Sequence, residues 1–186
     1  LGIRPLVCLC VMALALSLLL SEWAWRHASV ANFYLLPTRL WELLAGSLAA
    51  LTVHRWGGVQ KHSDTLSLLG LTAILACVFI YDAQTPFPSL YTLVPVLGTV
   101  LLLLYAGPRT IAARLLSVKG IVAIGLVSYS AYLWHQPLLA FGHLRSFGTL
   151  QGPAALALAL AAFPLAWLSW KFIEQPFRDR RLISRR

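Results

Sequence analysis

Charge is scarce in this chain. Only 11% of its 186 residues are Asp, Glu, Lys or Arg, against about 25% in a soluble domain. A chain that is 59% hydrophobic cannot bury that much apolar surface in water at this size. That excludes an ordinary soluble globular domain and points to a polytopic membrane protein. Methionine occurs once, at Met12, and the chain starts at Leu1, so a piece of a longer protein is expected. Cys8, Cys10 and Cys77 lie inside apolar runs, without CxxC or Cys/His spacing. They read as small core residues, which excludes a disulfide framework and predicts no metal site. There is no GxSxG, so an esterase-type nucleophile elbow is excluded as well. With no internal repeat and no low-complexity linker, the chain reads as one domain, 1–186.

Six apolar runs are present, at 5–20, 37–53, 65–81, 91–106, 121–142 and 152–173. Each is near the length a helix needs to cross a bilayer. They are continuous and do not alternate as barrel strands do, so the predicted fold class is all-α: a polytopic bundle of about six transmembrane helices. Arg4, the apolar run to Leu20 and Ala28-Ser29-Val30-Ala31 imitate a signal peptide and its cleavage site. Five further runs follow, and the first run is read as a span.

The net charge of +9 does not point to nucleic acid, because the basic residues cluster in short loops between apolar runs, as membrane topology arranges them. With the N-terminus inside, the inner segments hold eleven Lys and Arg residues and the outer segments two, Arg26 and Arg145. Both ends are therefore expected in the cytoplasm, with 21–36, 82–90 and 143–151 outside. The tail QPFRDRRLISRR is expected on the anionic inner leaflet, with membrane lipid as its partner. Trp23, Trp25, Trp41 and Trp56 lie near span ends, where an interfacial belt is expected.

Two spans carry residues that are costly in a bilayer. In LPTRLWELLAGSLAAL, Arg39 and Glu42 are three apart on one helical face and can pair. Gly46 lies on the same face and would admit a neighbouring helix or a substrate. In LVSYSAYLWHQPLLAF, Ser128, Tyr132 and His135 are spaced i, i+4, i+7 and make one polar stripe, which Gly125 extends. Tyr129 and Gln136 make a weaker edge. Pro137 cannot donate its N–H and clashes with the Leu133 carbonyl, which predicts a kink beside His135. By topology Arg39, Glu42 and His135 lie at comparable depth, and a shared wet cavity is expected. The plainer alternative for each is helix packing: a snorkelling Arg39 with a local salt bridge, and a histidine tied to one neighbour. His27, His54, His62 and His143 fall in or beside loops without metal-ligand spacing. Ala155, Ala159 and Ala162 read as packing residues.

Three stretches together resemble the acyltransferase 3 family of integral membrane O-acyltransferases. They are FYLLPTRLWELLAGSLAAL (33–51), GLVSYSAYLWHQPLL (125–139) and FIEQPFR (172–178). The resemblance covers nearly the whole chain but only the later part of the family's usual ten or so spans. The family's early arginine and histidine have no match in 1–36. The first and third stretches look most like the OafA- and OatA-like subgroup, which often carries an SGNH domain after the membrane part. The resemblance implies a bacterial inner-membrane, multi-pass O-acetyltransferase. It implies acetyl-CoA or another acyl-CoA as donor substrate, no bound cofactor, a glycan acceptor (polysaccharide, lipopolysaccharide or peptidoglycan) and an SGNH domain or partner. Under it Arg39, Glu42 and His135 are the catalytic candidates, and Ser128, Tyr132, Trp41 and Gly46 the substrate-binding ones. Arg, Glu and His in spans are also proton-relay material, so a proton-coupled transporter and a non-catalytic membrane subunit are the alternatives. An inverted repeat of the six spans would favour transport.

Overall fold

The computed structural model describes residues 3–55, 62–82, 84–146 and 152–178. Every regular element among them is helical, as the continuous apolar runs predict. The helices are α1 (Ile3–His27), α2 (Ser29–Tyr34), α3 (Leu36–Arg55), α4 (Asp64–Ile80), α5 (Leu93–Tyr105), α6 (Ile111–Leu116), α7 (Lys119–Arg145), α8 (Pro153–Ser169) and α9 (Gln175–Arg178). A 3-10 turn, Leu90–Thr92, precedes α5, and a π-turn, Trp170–Glu174, joins α8 to α9. The chain forms two compact units, Leu1–Leu115 and Leu116–Arg186, described in turn.

In the first unit α1 packs on α3, α4 on α5 and α3 on α5. Both long pairs are antiparallel. Arg4 and Arg55, from opposite ends of α1 and α3 in sequence, line one groove of about 460 Å³. At the α4–α5 pair, the Ser63 amide donates to the Tyr105 carbonyl at 3.2 Å, and the Tyr81 hydroxyl to the Tyr91 carbonyl at 2.8 Å. Ser63 caps α4 by accepting from the Leu66 amide. Asp64 in the first turn reaches over to accept from the Ile111 amide at 2.7 Å, so one carboxylate serves the N-terminal ends of both α4 and α6. The close approach of α4 and α5 rests on glycine. A Cβ on Gly70 would lie 2.5 Å from the Gly98 carbonyl oxygen, and one on Gly98 would lie 2.8 Å from that of Gly70.

The second unit is α7 packed on α8, with the π-turn and α9 continuing from α8. Ala162 and Ala166 are buried and Ala155 and Ala159 half-buried, so the small-residue stripe of α8 is its packing face, as expected. Helix α7 runs unbroken through Pro137, and α8 through Pro164.

What is buried and what is exposed is inverted relative to a protein folded in water. The buried side chains are mostly small or hydroxyl-bearing: Ser17, Ser21, Ala24, Thr38, Ala49, Ser67, Ala112 and Ser130. Large apolar side chains face outward, among them Leu16, Leu19, Val78, Phe79 and Ile80. Lipid is as apolar as leucine, so helices in a bilayer associate through close-packed small residues and interhelical hydrogen bonds. This is a helical bundle of the membrane type. Among the described residues, two runs are long and apolar enough to cross a membrane, Arg4–His27 and Pro153–Arg178, and two shorter apolar helices span Asp64–Ile80 and Leu90–Tyr105. Helices α3 and α7 are longer than the latter but more polar, and they carry the candidate site residues.

Candidate active site

At one end of the first unit, the segments 21–36 and 82–92 meet. The Pro88 carbonyl accepts from Asn32 Nδ2 at 2.8 Å and from the Ser21 hydroxyl at 3.1 Å. The Leu90 amide donates to Glu22 Oε2 at 3.2 Å. Ser89 and Thr92 close a reciprocal capping box on the 3-10 turn. Asp82 folds the loop start by accepting from the Gln84 and Thr85 amides and the Thr85 hydroxyl. Those bonds, the Thr85 hydroxyl foremost, hold the Asp82 carboxyl below its ordinary value. Asn32 is fully buried, and the Thr38 hydroxyl donates to its carbonyl at 2.7 Å. Thr38 thereby ties α2 to the start of α3, the turn that carries Arg39.

Arg39 and Glu42 pair as the i, i+3 spacing predicts, with Nη2 3.5 Å from Oε2. The contact is long for a charge-assisted bond. Arg39 lies against two adjacent aromatic rings, 5.3 Å from the centre of Phe33 and 5.6 Å from that of Phe87. A guanidinium has five N–H donors, and among the described residues Glu42 is the sole polar partner of Arg39. The Glu42 side chain is 19% exposed, and its Oε1 is buried with no hydrogen-bond partner among the described residues. The pair is thus held on a rigid turn with polar capacity in reserve. Such a group can bind an oxygen of a ligand or a developing oxyanion.

Trp41 is 1% exposed, which corrects its assignment to the interfacial belt. It packs in the core, where its amide donates to the Ser17 hydroxyl, which in turn donates to the Pro37 carbonyl. Its indole Nε1 is buried without a partner among the described residues. Among the described residues no neighbouring helix closes on Gly46, since nothing lies within 4 Å of its Cβ position. The glycines at which two helix backbones close on each other are Gly70 and Gly98. Trp56 lies outside the described residues.

In the second unit, His135 lies partly exposed on α7 with Nδ1 2.7 Å from the Tyr132 carbonyl. A carbonyl only accepts, so in the neutral ring Nδ1 carries the proton and Nε2 is left as the base. Tyr132 is exposed and its ring lies 5.3 Å from that of His135. Ser128 is exposed and bonds its own helix at the Gly125 carbonyl. The stripe therefore exists, with Ser128 and Tyr132 exposed and His135 half-buried. The buried serine is Ser130, one the sequence reading passed over. Its hydroxyl donates to Glu174 Oε2 at 3.1 Å, and Arg178 Nη1 donates to Glu174 Oε1 at 2.9 Å. This joins the second and third of the three family-like stretches. His27 and His143, read as loop residues, instead lie in the last turns of α1 and α7. Arg39 and Glu42 belong to the first unit and His135 to the second.

The class is that of an all-helical membrane protein with ionisable residues within its helices, and its relatives agree. No family model matches the chain, and no solved structure matches it. It is similar to the peptidoglycan O-acetyltransferase OatA of Listeria monocytogenes, 28% identical over 174 residues, which cover 82% of this chain and 26% of that protein. It is similar to YrhL of Bacillus subtilis, 28% identical over 169 residues, covering 83% and 26%. The O-acetyltransferase OatA of Staphylococcus aureus is 25% identical over 122 residues, covering 63% and 20%. The chain spans about a quarter of the length of the first two. These relatives bear out the OatA-like, acyltransferase 3 resemblance read from the three stretches.

Proposed function

We propose that this chain is membrane-domain machinery of a cell-envelope O-acetyltransferase. In this reading it lies in the bacterial inner membrane with several spans and both of its ends in the cytoplasm. The donor is cytoplasmic acetyl-CoA or another acyl-CoA, and the acceptor is a hydroxyl of an extracytoplasmic glycan, peptidoglycan foremost. The observation that carries it is the Arg39–Glu42 pair, whose unused N–H donors stand beside a pinned loop in a chain similar to peptidoglycan O-acetyltransferases.

The chemistry asks for two things of the protein: a base for the hydroxyl proton and donors for the tetrahedral oxyanion. In the second unit, His135 Nε2 is a base for a hydroxyl proton. In the first unit, Arg39 N–H groups hold an oxyanion, and Glu42 sets the guanidinium. Across the whole transfer the thioester C–S bond breaks, the thiolate takes up the proton the hydroxyl loses, and the acyl group ends on the glycan oxygen. Each role follows from the local geometry of its own residue.

The test is transfer of labelled acetyl from acetyl-CoA to wall glycan by membranes carrying the full-length protein. Arg39→Ala is expected to lower the rate by about 10²- to 10³-fold, and His135→Ala by about 10²- to 10⁴-fold, at unchanged protein level. Normal acetylation by both variants would remove these residues from the chemistry. Arg39→Lys should recover little, since a point charge does not replace the planar fork.

A further inference from the structure

Beside Arg39 runs a row of aromatic rings. Tyr34 meets Phe33 edge-on with centroids 5.1 Å apart, and Phe33 meets Phe87 at 6.2 Å with the ring planes tilted by 52°. The guanidinium lies beside the row, over both phenylalanine rings. Tyr34 is 78% exposed, Phe33 41% and Phe87 46%. These rings stand on fixed backbone. Phe33 follows the fully buried Asn32, and Phe87 precedes Pro88, whose carbonyl is held by Asn32 and Ser21.

Two properties decide what such a surface fits. The ring faces are apolar and carry the negative side of the aromatic quadrupole. Beside the row, Arg39 keeps N–H donors that no described residue uses. A hydrocarbon chain would cover the rings but desolvate the guanidinium without supplying an acceptor, which is costly. A sugar ring matches both. Its face of polarised C–H groups lies on an aromatic face, while its rim of oxygens accepts from N–H donors.

We infer that Tyr34, Phe33 and Phe87 form the acceptor platform, on which a glycan strand lies with one sugar's oxygens reaching Arg39. This rests on the proposed glycan acceptor and assigns its recognition to residues that carry no chemistry of their own. Phe33 and Phe87 are then specificity-determining residues: they bind the acceptor and leave the donor untouched.

Two measurements on the full-length protein test it. In the first, acceptor concentration is varied at saturating acetyl-CoA. Phe33→Ala and Phe87→Ala are expected to raise the acceptor KM about tenfold, with the acetyl-CoA KM unchanged and with Phe33→Tyr and Phe87→Tyr near wild type. In the second, a β-1,4-linked N-acetylglucosamine tetramer is bound to protein in nanodiscs and followed by saturation transfer to its ring protons. Transfer is expected in the wild type and lost in both alanine variants. Phe87→Leu keeps the apolar bulk without the aromatic face, and is expected to behave like alanine. If leucine restores binding, or if the alanine variants keep wild-type acceptor KM and tetramer binding, the platform is overturned. If the wild type transfers no acetyl group, the functional reading falls, while the tetramer measurement still decides the platform.

Discussion

Ser128 and Ser130 show how much a single residue's role depends on what arrives from elsewhere in the chain. Both are serines in the same helical motif, and hydropathy treats them alike. Ser128 spends its hydroxyl on its own helix; Ser130 is buried and spends it on Glu174, 44 residues further on. A hydrogen bond to a charged group contributes about 1.5–3 kcal/mol. Ser130→Ala should therefore destabilise the second unit by about 2 kcal/mol, and Ser128→Ala by no more than about 0.5 kcal/mol. Thermal unfolding of the protein in detergent distinguishes them, and equal effects would refute the assignment. The stripe of Ser128, Tyr132 and His135 was legible because it follows from helical spacing alone. Ser130 was not, because its significance depends on where the π-turn places Glu174. Arg39 and Glu42 were legible as an i, i+3 pair, whereas the two rings around Arg39 were not. Phe87 comes from a loop whose position is set by Ser21, Glu22 and Asn32, on two other helices.

At the level of helices, each of the six apolar runs appears as a helix among the described residues, since continuous hydrophobicity bounded by polar loops is a strong local signal. Their ends were less legible. Helices α1 and α7 run on through His27 and Arg145, because histidine and arginine in a last turn favour the helix dipole and do not stop the helix. Pro137 and Pro164 do not interrupt their helices either. The tight crossing of α4 and α5 depends on Gly70 and Gly98, which only the pairing of the helices reveals. Gly98→Leu places atoms where the Gly70 backbone lies and should cost about 3 kcal/mol or more. Gly46→Leu, at an open position, should cost only the usual small surface amount. Denaturation midpoints of the two variants in the same detergent give the comparison, and equal midpoints would contradict the close crossing.

At the scale of the molecule, the contacts within the first unit bring together the segments that the charge pattern assigns to one side, without fixing which side that is. The segments 21–36 and 82–90, assigned together to the outer side, do gather at one end of the first unit. Arg4 and Arg55, assigned together to the inner side, line one groove at the other. Burial supports a bilayer setting independently, since leucines face out and serines and alanines face in. A direct check uses single cysteines in a chain whose Cys8, Cys10 and Cys77 are replaced by alanine. Ala28→Cys and Thr85→Cys should react with a membrane-impermeant maleimide in intact cells. His62→Cys and Arg109→Cys should react only after the membrane is opened. The reverse pattern would invert the topology, and reaction of all four in intact cells would refute the separation of the two ends.

The fastening at Pro88 also has a bearing on biosynthesis. Helices α1 to α3 are made before the loop that follows α4, and Ser21 and Asn32 find their shared acceptor only when residue 88 has been made, 67 and 56 positions later. Until then the Asn32 side-chain amide lacks this acceptor, and that end of the α1–α3 hairpin is unlatched. Completion of the second hairpin is what latches the first.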